Sequence, residues 1–388
     1  MVRMRCREEQ APTGKSMGEC IISLRGWHPA LAQAELSALF PTGRVEQLSS
    51  PRLARITCKG DEQEFTIAAG IEATFQHGVN TPWIDEASLL NEIKNHLQMY
   101  SHGNASCAVH AWKHGEGISN CSRTTLAGNI GEVLSRMNAV IDLEQPERIF
   151  GVLLDGHSQT VTYGWLMDGG PKGDSSTGRR ASQRPFFKPV SLEPRLARLA
   201  VNLACGPLAE GTCLDPMTGT GGFTIEAVLS ERTAVGIDLD LEMIEGARRN
   251  LEWAGSNVDP FVQGDATDVR ASLPEGFPVP FSGTVLDPPY GRNSHGSMDH
   301  STLLQKTLLS AADVTQGGLV LILPSEPRPD CIERALSRDE RPPLKHYSWQ
   351  ELEGILESTS WTYQKAWYIA VHGSLGRVLI FATNALRD

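Results

Sequence analysis

Leu214-Asp215-Pro216-Met217-Thr218-Gly219-Thr220-Gly221-Gly222 ends a short apolar stretch and runs into Phe223-Thr224-Ile225-Glu226-Ala227-Val228-Leu229. The first part reads as a strand end, the last as a helix, and the turn between them is built on glycine. Glycine lets backbone approach a ligand closely, and a helix N-terminus favours negative charge. A second short β-rich run, Ala234-Val235-Gly236-Ile237, ends in Asp238-Leu239-Asp240. Asp238 follows Asp215 by 23 residues, a suitable distance for an acid that bonds ribose hydroxyls at the next strand tip. The dinucleotide fingerprint G-x-G-x-x-G is not completed, because Thr224 holds the sixth position after Gly219 and Gly221. A lone G-x-G leaves the nucleotide undecided.

Two more acid-bearing tips continue the rhythm. Gly264-Asp265-Ala266 places Asp265 27 residues after Asp238, and Asp287 follows 22 residues later. Four such tips at near-even spacing predict an α/β half-sheet with one ligand crevice. The fourth tip is chemically the most specific. Gly283-Thr284-Val285-Leu286 reads as a buried strand, and Asp287-Pro288-Pro289-Tyr290 leaves it before Gly291-Arg292. Asp287 and the Pro288 carbonyl offer two acceptors to an exocyclic amino group. Both prolines lack an N–H and have φ fixed. A carboxylate beside that nitrogen stabilises the positive charge that grows there during alkylation. Tyr290 supplies a ring for an unstacked base. Alone, the string also reads as a proline-rich turn with an acid cap; the three tips upstream favour the ligand site.

The order D-P-M-T-G-T-G-G, G-I-D-L-D, G-D-A, D-P-P-Y resembles a class I, Rossmann-like methyltransferase that uses S-adenosyl-L-methionine on an exocyclic amino group. The resemblance implies that Asp215, Thr218, Gly219, Thr220 and Gly221 pass under the methionine part of the cofactor. It implies Asp238 and Leu239 at the ribose, Asp265 and Ala266 at the adenine edge, and Asp287, Pro288, Pro289 and Tyr290 as the catalytic motif. Arg184-Pro185-Phe186-Phe187-Lys188-Pro189 is similar to the segment leading into the catalytic domain of archaeal tRNA guanine-N2 methyltransferases, whose F-x-P part, here Phe187 and Pro189, lies near the methionine moiety. Ala370-Val371-His372-Gly373-Ser374-Leu375 resembles the penultimate strand region of that family.

Composition sets the frame. The 388 residues suit two or three domains, and a hydrophobic content of 40% with 21% charged residues suits a soluble globular protein. The net charge of −11 argues against a nonspecific nucleic-acid coat. An RNA substrate needs only a local basic face. Residues 170–200 offer one, with seven basic residues against Asp174 and Glu193. Arg179, Arg180, Arg184, Lys188 and, further on, Arg292 are the candidate RNA contacts; a solvated, extended linker is the other reading of the stretch. The eight cysteines contain no C-x-x-C pair, so neither a metal site nor a disulfide framework is expected. No run of 18 apolar residues exists, and the first 19 residues lack an apolar core after Arg3, Arg5 and Arg7. A flexible tail over 1–19, no membrane span and a cytoplasmic location are expected.

Residues 20–166 read as an α+β region. A strand at Cys20 to Leu24, a helix near Ala30 to Phe40 and two strands around Ser49-Ser50-Pro51 come first. Asp61 starts a further helix. Asp85 caps a helix reaching Leu97; a strand, a helix and the paired strands 148–154 and 160–166 follow. Asp142-Leu143-Glu144-Gln145-Pro146-Glu147 before a strand resembles the THUMP domain, an RNA-binding module. His110, His114 and His157 show no ligand spacing to an acid or thiol and read as surface or satisfied histidines. The organisation expected is a ferredoxin-like plus THUMP RNA-binding region over 20–166, a linker over 167–190 and a class I catalytic domain over 191–388. The resemblance implies tRNA as partner and N2 of a guanosine, position 10, as target, with one methyl added or two. A partner subunit is compatible with the sequence and not implied by it. A guanosine-6 or ribosomal guanine enzyme, a DNA adenine-N6 methyltransferase and a catalytically degenerate RNA-binding protein are the competing readings.

Overall fold

The computed structural model describes residues 18–41, 43, 45–58, 64–101, 103–167, 178–188, 192–208, 211–289 and 299–385. Asp61 and most of the expected tail lie outside these residues, as do Pro189, Tyr290 and Arg292.

The chain begins with β1 (Gly18–Leu24), α1 (Pro29–Leu39), β2 (Val45–Gln47), β3 (Leu53–Cys58), α2 (Glu64–Ile67) and β4 (Ile71–Pro82). This is the βαββαβ order of a ferredoxin-like unit. Then come α3 (Glu86–Met99), β5 (Cys107–His114), α4 (Arg123–Arg136), β6 (Arg148–Asp155) and β7 (Thr160–Leu166). The strands form a seven-stranded sheet in the order β2-β3-β1-β4-β7-β6-β5. Helix starts follow from capping: the Asp85 side chain accepts the Ser88 amide, and Ser122 accepts the Thr125 amide. Strand β4 has no clean signature in the sequence. His77 has φ of 51°, and pairing with β7 shifts register between Gln76 and Val79. Such a bulge breaks the alternation that marks a strand.

Compactness divides the chain into a unit carried by Phe75–Asp168 and a unit carried by Gly169–Asp388, which also takes in Ile22–Ala54 and Gln63–Thr74. In the first unit, α3 and α4 set Leu89, Ile93, Leu126 and Ile130 into a core with Phe150, Tyr163 and Trp165. His114 Nδ1 lies 3.2 Å from Asp155 Oδ2, with both side chains buried. His114 and Asp155 face each other in the β5–β6 register, so this histidine is a satisfied core residue. No cluster of metal-ligating side chains occurs among the described residues.

In the second unit, α5 (Pro194–Cys205), β8 (Thr212–Asp215), α6 (Gly222–Val228), β9 (Thr233–Asp238), α7 (Leu241–Trp253), β10 (Phe261–Gln263), α8 (Val269–Ser272) and β11 (Phe281–Leu286) are followed by α9 (His300–Val314), β12 (Thr315–Ser325), α10 (Trp349–Ser358), β13 (Trp361–His372) and β14 (Leu375–Asn384). The sheet order is β10-β9-β8-β11-β12-β14-β13. Strands β8 to β12 run parallel, and β14 is antiparallel to both of its neighbours. From β8 the chain winds to β10 on one side and to β12 on the other. The switch point between β8 and β11 is where such sheets open a crevice. Strand β12 is buried on both faces: Leu319, Leu321 and Leu323 join the core under α9 and α10, and Val320 and Ile322 join the core under α5.

The early segments Ile22–Ala54 and Gln63–Thr74 group with the second unit. Helix α1 belongs with the second unit because it packs on α5 through Leu31 and shares a buried polar network. Glu35 accepts the Ala69 and Gly70 amides and the Asn202 side-chain amide at 2.7–2.8 Å. His28 caps α1 at Leu31 and bonds the Tyr368 carbonyl at 3.0 Å through Nε2. Glu35 and Asn202 are 167 residues apart in the chain and His28 and Tyr368 are 340 apart, so no local pattern announces these pairs. No described helix is long and apolar enough to cross a membrane.

Candidate active site

The Gly-rich turn is tied to the end of β9 by two hydrogen bonds. Gly219 and Gly221 have φ of +52° and +84°, a region that other residues avoid. The Thr218 amide donates to the Ile237 carbonyl at 2.8 Å, which fastens the turn to β9. Gly236 allows that approach, because a Cβ there would lie 2.6 Å from the Thr224 hydroxyl and 2.7 Å from that of Thr218. The Gly219 amide then donates to Asp238 Oδ2 at 2.9 Å, and the Asp240 amide to Asp238 Oδ1 at 2.9 Å.

Asp215 stands behind the turn. Its Oδ2 accepts the hydroxyls of Thr218 at 2.8 Å and Thr224 at 3.0 Å, while Oδ1 is buried with no partner among the described residues. Burial pushes its carboxyl up to about 7; the two hydroxyls pull it down, and the charges of Asp238 and Asp287 push it up again. Asp215 therefore shapes the turn from within the wall.

A cavity of about 810 Å³ lies over the switch point. Thr218, Gly219 and Thr220 line it from the turn, Asp238 and Leu239 from the tip of β9, and Asp265 and Ala266 from beyond β10. Asp287, Pro288 and Pro289 line it from the tip of β11. Asp265 Oδ1 is held by the amide and hydroxyl of Thr267, each at 2.8 Å. The far end is basic. Lys345, His346 and Arg377 line it beside Pro324 and Leu375. Arg377 faces Pro324 in the β12–β14 register, and the Lys345 amide donates to the Pro324 carbonyl. The His346 ring stands 4.8 Å from that of His300, and burial, His300 and Lys345 lower its pKa. Read along the sheet, acids stand at the tips of β10, β9, β8 and β11, and cations beside β12 and β14.

The described part of the expected linker, residues 178–188, docks on the second unit. Asn250 in α7 accepts the Phe186 amide at 2.9 Å and donates to the Phe186 carbonyl at 2.9 Å and the Thr220 carbonyl at 3.0 Å. Gly246 makes room for the Phe186 ring, where a Cβ would fall 2.1 Å from a ring carbon. Lys188 reaches the cavity and pairs with Glu242 at 3.4 Å, whereas Phe187 is 46% exposed and off the cavity. Arg179 is engaged inside the protein: it pairs at 3.2 Å with Glu226, which is 1% exposed and also holds Arg198 at 2.8 Å. Arg180 is exposed and Arg184 is buried. Sequence reading missed Asn250, Thr224 and Glu226. Only the spacing of buried positions on α6 and α7 could have pointed to them.

The doubly wound sheet, its Gly-rich turn and the Asp-Pro-Pro tip define a Rossmann-like α/β fold with a crevice at its switch point. Residues 181–345 match the family model described as UPF0020, an RMKL-like methyltransferase domain. The chain is 38% identical over 155 residues to a tRNA (guanine(10)-N2)-dimethyltransferase of Pyrococcus abyssi, covering 40% of this chain and 45% of that protein. It is 39% identical over 143 residues to the protein of the same name from Methanothermobacter thermautotrophicus, covering 36% and 40%. The matches thus span less than half the length of these relatives. A crystal structure of TrmN from Thermus thermophilus aligns over 94% of this chain and 99% of that one, with 19% identity and a TM-score of 0.47.

Proposed function

We propose that the chain is an S-adenosyl-L-methionine-dependent methyltransferase acting on the exocyclic N2 of guanosine 10 in tRNA, giving N2-methylguanosine and, in a second round, N2,N2-dimethylguanosine. One observation carries the reading: the Gly-rich turn, Asp238, Asp265 and the Asp287-Pro288-Pro289 tip all face one cavity. The names of the partly matching relatives support the choice of tRNA and of position 10.

The residues fit the cofactor. A Cβ on Gly219 would meet no atom within 4 Å, so a side chain there would stand in the cavity itself. Asp238 is fixed by two backbone amides and lines the cavity, where a carboxylate suits ribose hydroxyls. When bound, S-adenosylmethionine supplies a methyl group made electrophilic by its sulfonium. The protein supplies alignment and electrostatics. Asp287 and the Pro288 carbonyl accept the two N–H bonds of the guanine amine, which turns its lone pair toward the methyl group. The Asp287 carboxylate stabilises the charge that develops on the nitrogen and takes the proton that the alkylated amine must lose. Tyr290, by sequence, stacks on the flipped base.

Cavity polarity supports an anionic polymer as substrate. Arg377 on β14 is two strand spacings, about 10 Å, from the β11 tip. A base held at Asp287 would leave its backbone phosphate toward Lys345 and Arg377. The first unit is proposed as the THUMP-type grip on the tRNA acceptor end, and the cytoplasm as the site of action. Incubation with methyl-labelled cofactor and either tRNA transcript or duplex DNA tests the reading. Label is expected in tRNA; label in DNA alone would replace it with adenine-N6 methylation.

A further inference from the structure

Arg184 is an anomaly in the second unit. The residue is 6% exposed, and Nη1 and Nη2 are buried with no hydrogen-bond partner among the described residues. A buried cation without a partner is disfavoured, so such a group points to an anion that is bound in the working state. Burial lowers its pKa, Glu226 opposes that and Arg179 adds to it. Glu226 is the nearby buried acid, and its oxygens already take Arg179 at 3.2 Å and Arg198 at 2.8 Å. Glu226 thus acts on three guanidinium groups, and among the described residues Arg184 is the one of them not bonded to it.

Position names the ligand. Arg184 Nη1 lies 3.9 Å from where a Cβ on Gly222 would sit, and Leu192 Cβ lies 4.0 Å from the same point. Gly222 and Leu192 both line the cavity, at the foot of the Gly-rich turn. The missing side chain at 222 leaves the space between guanidinium and cavity clear. Arg184 itself stands behind Gly222 and does not line the cavity, a place that the end of a small cofactor reaches more readily than a phosphate of a polymer. The acids lining this half, Asp238, Asp240, Asp265 and Asp287, repel an anion, and the nearby cation Lys188 is paired with Glu242. A carboxylate placed there needs a cation of its own.

We propose that Arg184 is the carboxylate receptor of the cavity, its planar fork taking the α-carboxylate of the methionine part of S-adenosylmethionine. The inference rests on the cofactor assignment above and gives Arg184 a role in place of RNA contact.

Calorimetry with the full chain tests it, using S-adenosylmethionine and its decarboxylated form, which differ only in that group. Wild type should bind the decarboxylated ligand about 10- to 100-fold more weakly. Arg184→Met should bind both within about twofold of each other, because the cycle isolates the shared contact. Arg184→Lys should show an intermediate preference. A merely structural role would weaken both ligands by one factor, and that result, or an undiminished preference in Arg184→Met, overturns the proposal. Thermal melts separate folding from binding: ligand-free Arg184→Met should melt at or above the wild-type temperature, with a smaller gain from S-adenosylmethionine. A lower ligand-free melting temperature would make Arg184 structural. Loss of tRNA affinity in Arg184→Met with the carboxylate preference kept would assign it to polymer phosphate instead. If wild type binds neither ligand, the cofactor assignment itself fails.

Discussion

Asn250 ties Phe186 to Thr220: its side-chain amide bonds the Phe186 amide and carbonyl at 2.9 Å and the Thr220 carbonyl at 3.0 Å. One buried side chain thus fixes the lead-in segment and the Gly-rich turn together. Asn250→Leu keeps the volume and strands three backbone groups. It should lower stability by on the order of 3 kcal/mol and weaken S-adenosylmethionine binding. Urea unfolding and calorimetry read both. Undiminished affinity would mean that the turn does not depend on this tie.

Asp215 predicts a pH dependence with a defined sign. Its carboxyl sits at about 7 in the fold, against an ordinary value of 3.8. Between those values the folded state holds a proton that the unfolded chain has released, so stability from this group falls as pH rises through the window and is level above it. Asp215→Asn keeps an acceptor for Thr218 and Thr224 and cannot ionise. The stability of wild type relative to this variant should therefore decline from about pH 4 to about pH 7. A difference that rises with pH would reverse the assignment.

His28 should show the opposite slope. Burial lowers its pKa to about 4 from 6.5, so the unfolded chain binds the extra proton. Stability from this group rises as pH rises through that interval and is lost below it. His28→Gln should flatten acid unfolding there; an unchanged acid limb would place the sensitivity elsewhere.

Basic residues divide into two groups with different expected losses. Lys345→Gln and Arg377→Gln should weaken tRNA binding and each reduce its salt slope by about one. Arg179 is bonded to buried Glu226, so Arg179→Gln should cost on the order of 1–3 kcal/mol of stability and leave the slope unchanged. Filter binding across a salt series separates them. A slope altered by Arg179→Gln alone would return the RNA contact to the lead-in segment.

The strand-tip frame was legible in the sequence because its signals are local. Asp215 and Asp238 end β8 and β9, and Asp287 follows β11 directly. Glycine at 219 and 221 marks positive φ whatever the rest of the chain does. What the sequence hid was partnership. Phe186 and Asn250 are 64 residues apart, and Glu35 and Asn202 are 167 apart. Neither periodicity nor spacing encodes such pairs. The same limit explains why Arg179 and Arg184 read as surface charges in a basic stretch although one is paired with a buried acid and the other is buried. Strand β4 was lost for a different reason, since the bulge at His77 breaks its alternation.

In the proposed reaction Asp287 presents the amine of one tRNA guanosine for methyl transfer. Nucleoside mass mapping of tRNA treated with wild type and with Asp287→Ala tests it most directly. N2-methylated guanosine at position 10 is expected with wild type. Asp287→Ala should lower the rate by about 10²- to 10³-fold, with cofactor and tRNA affinities kept. Methylation at another atom or another nucleotide, or loss of cofactor binding in Asp287→Ala, would contradict it.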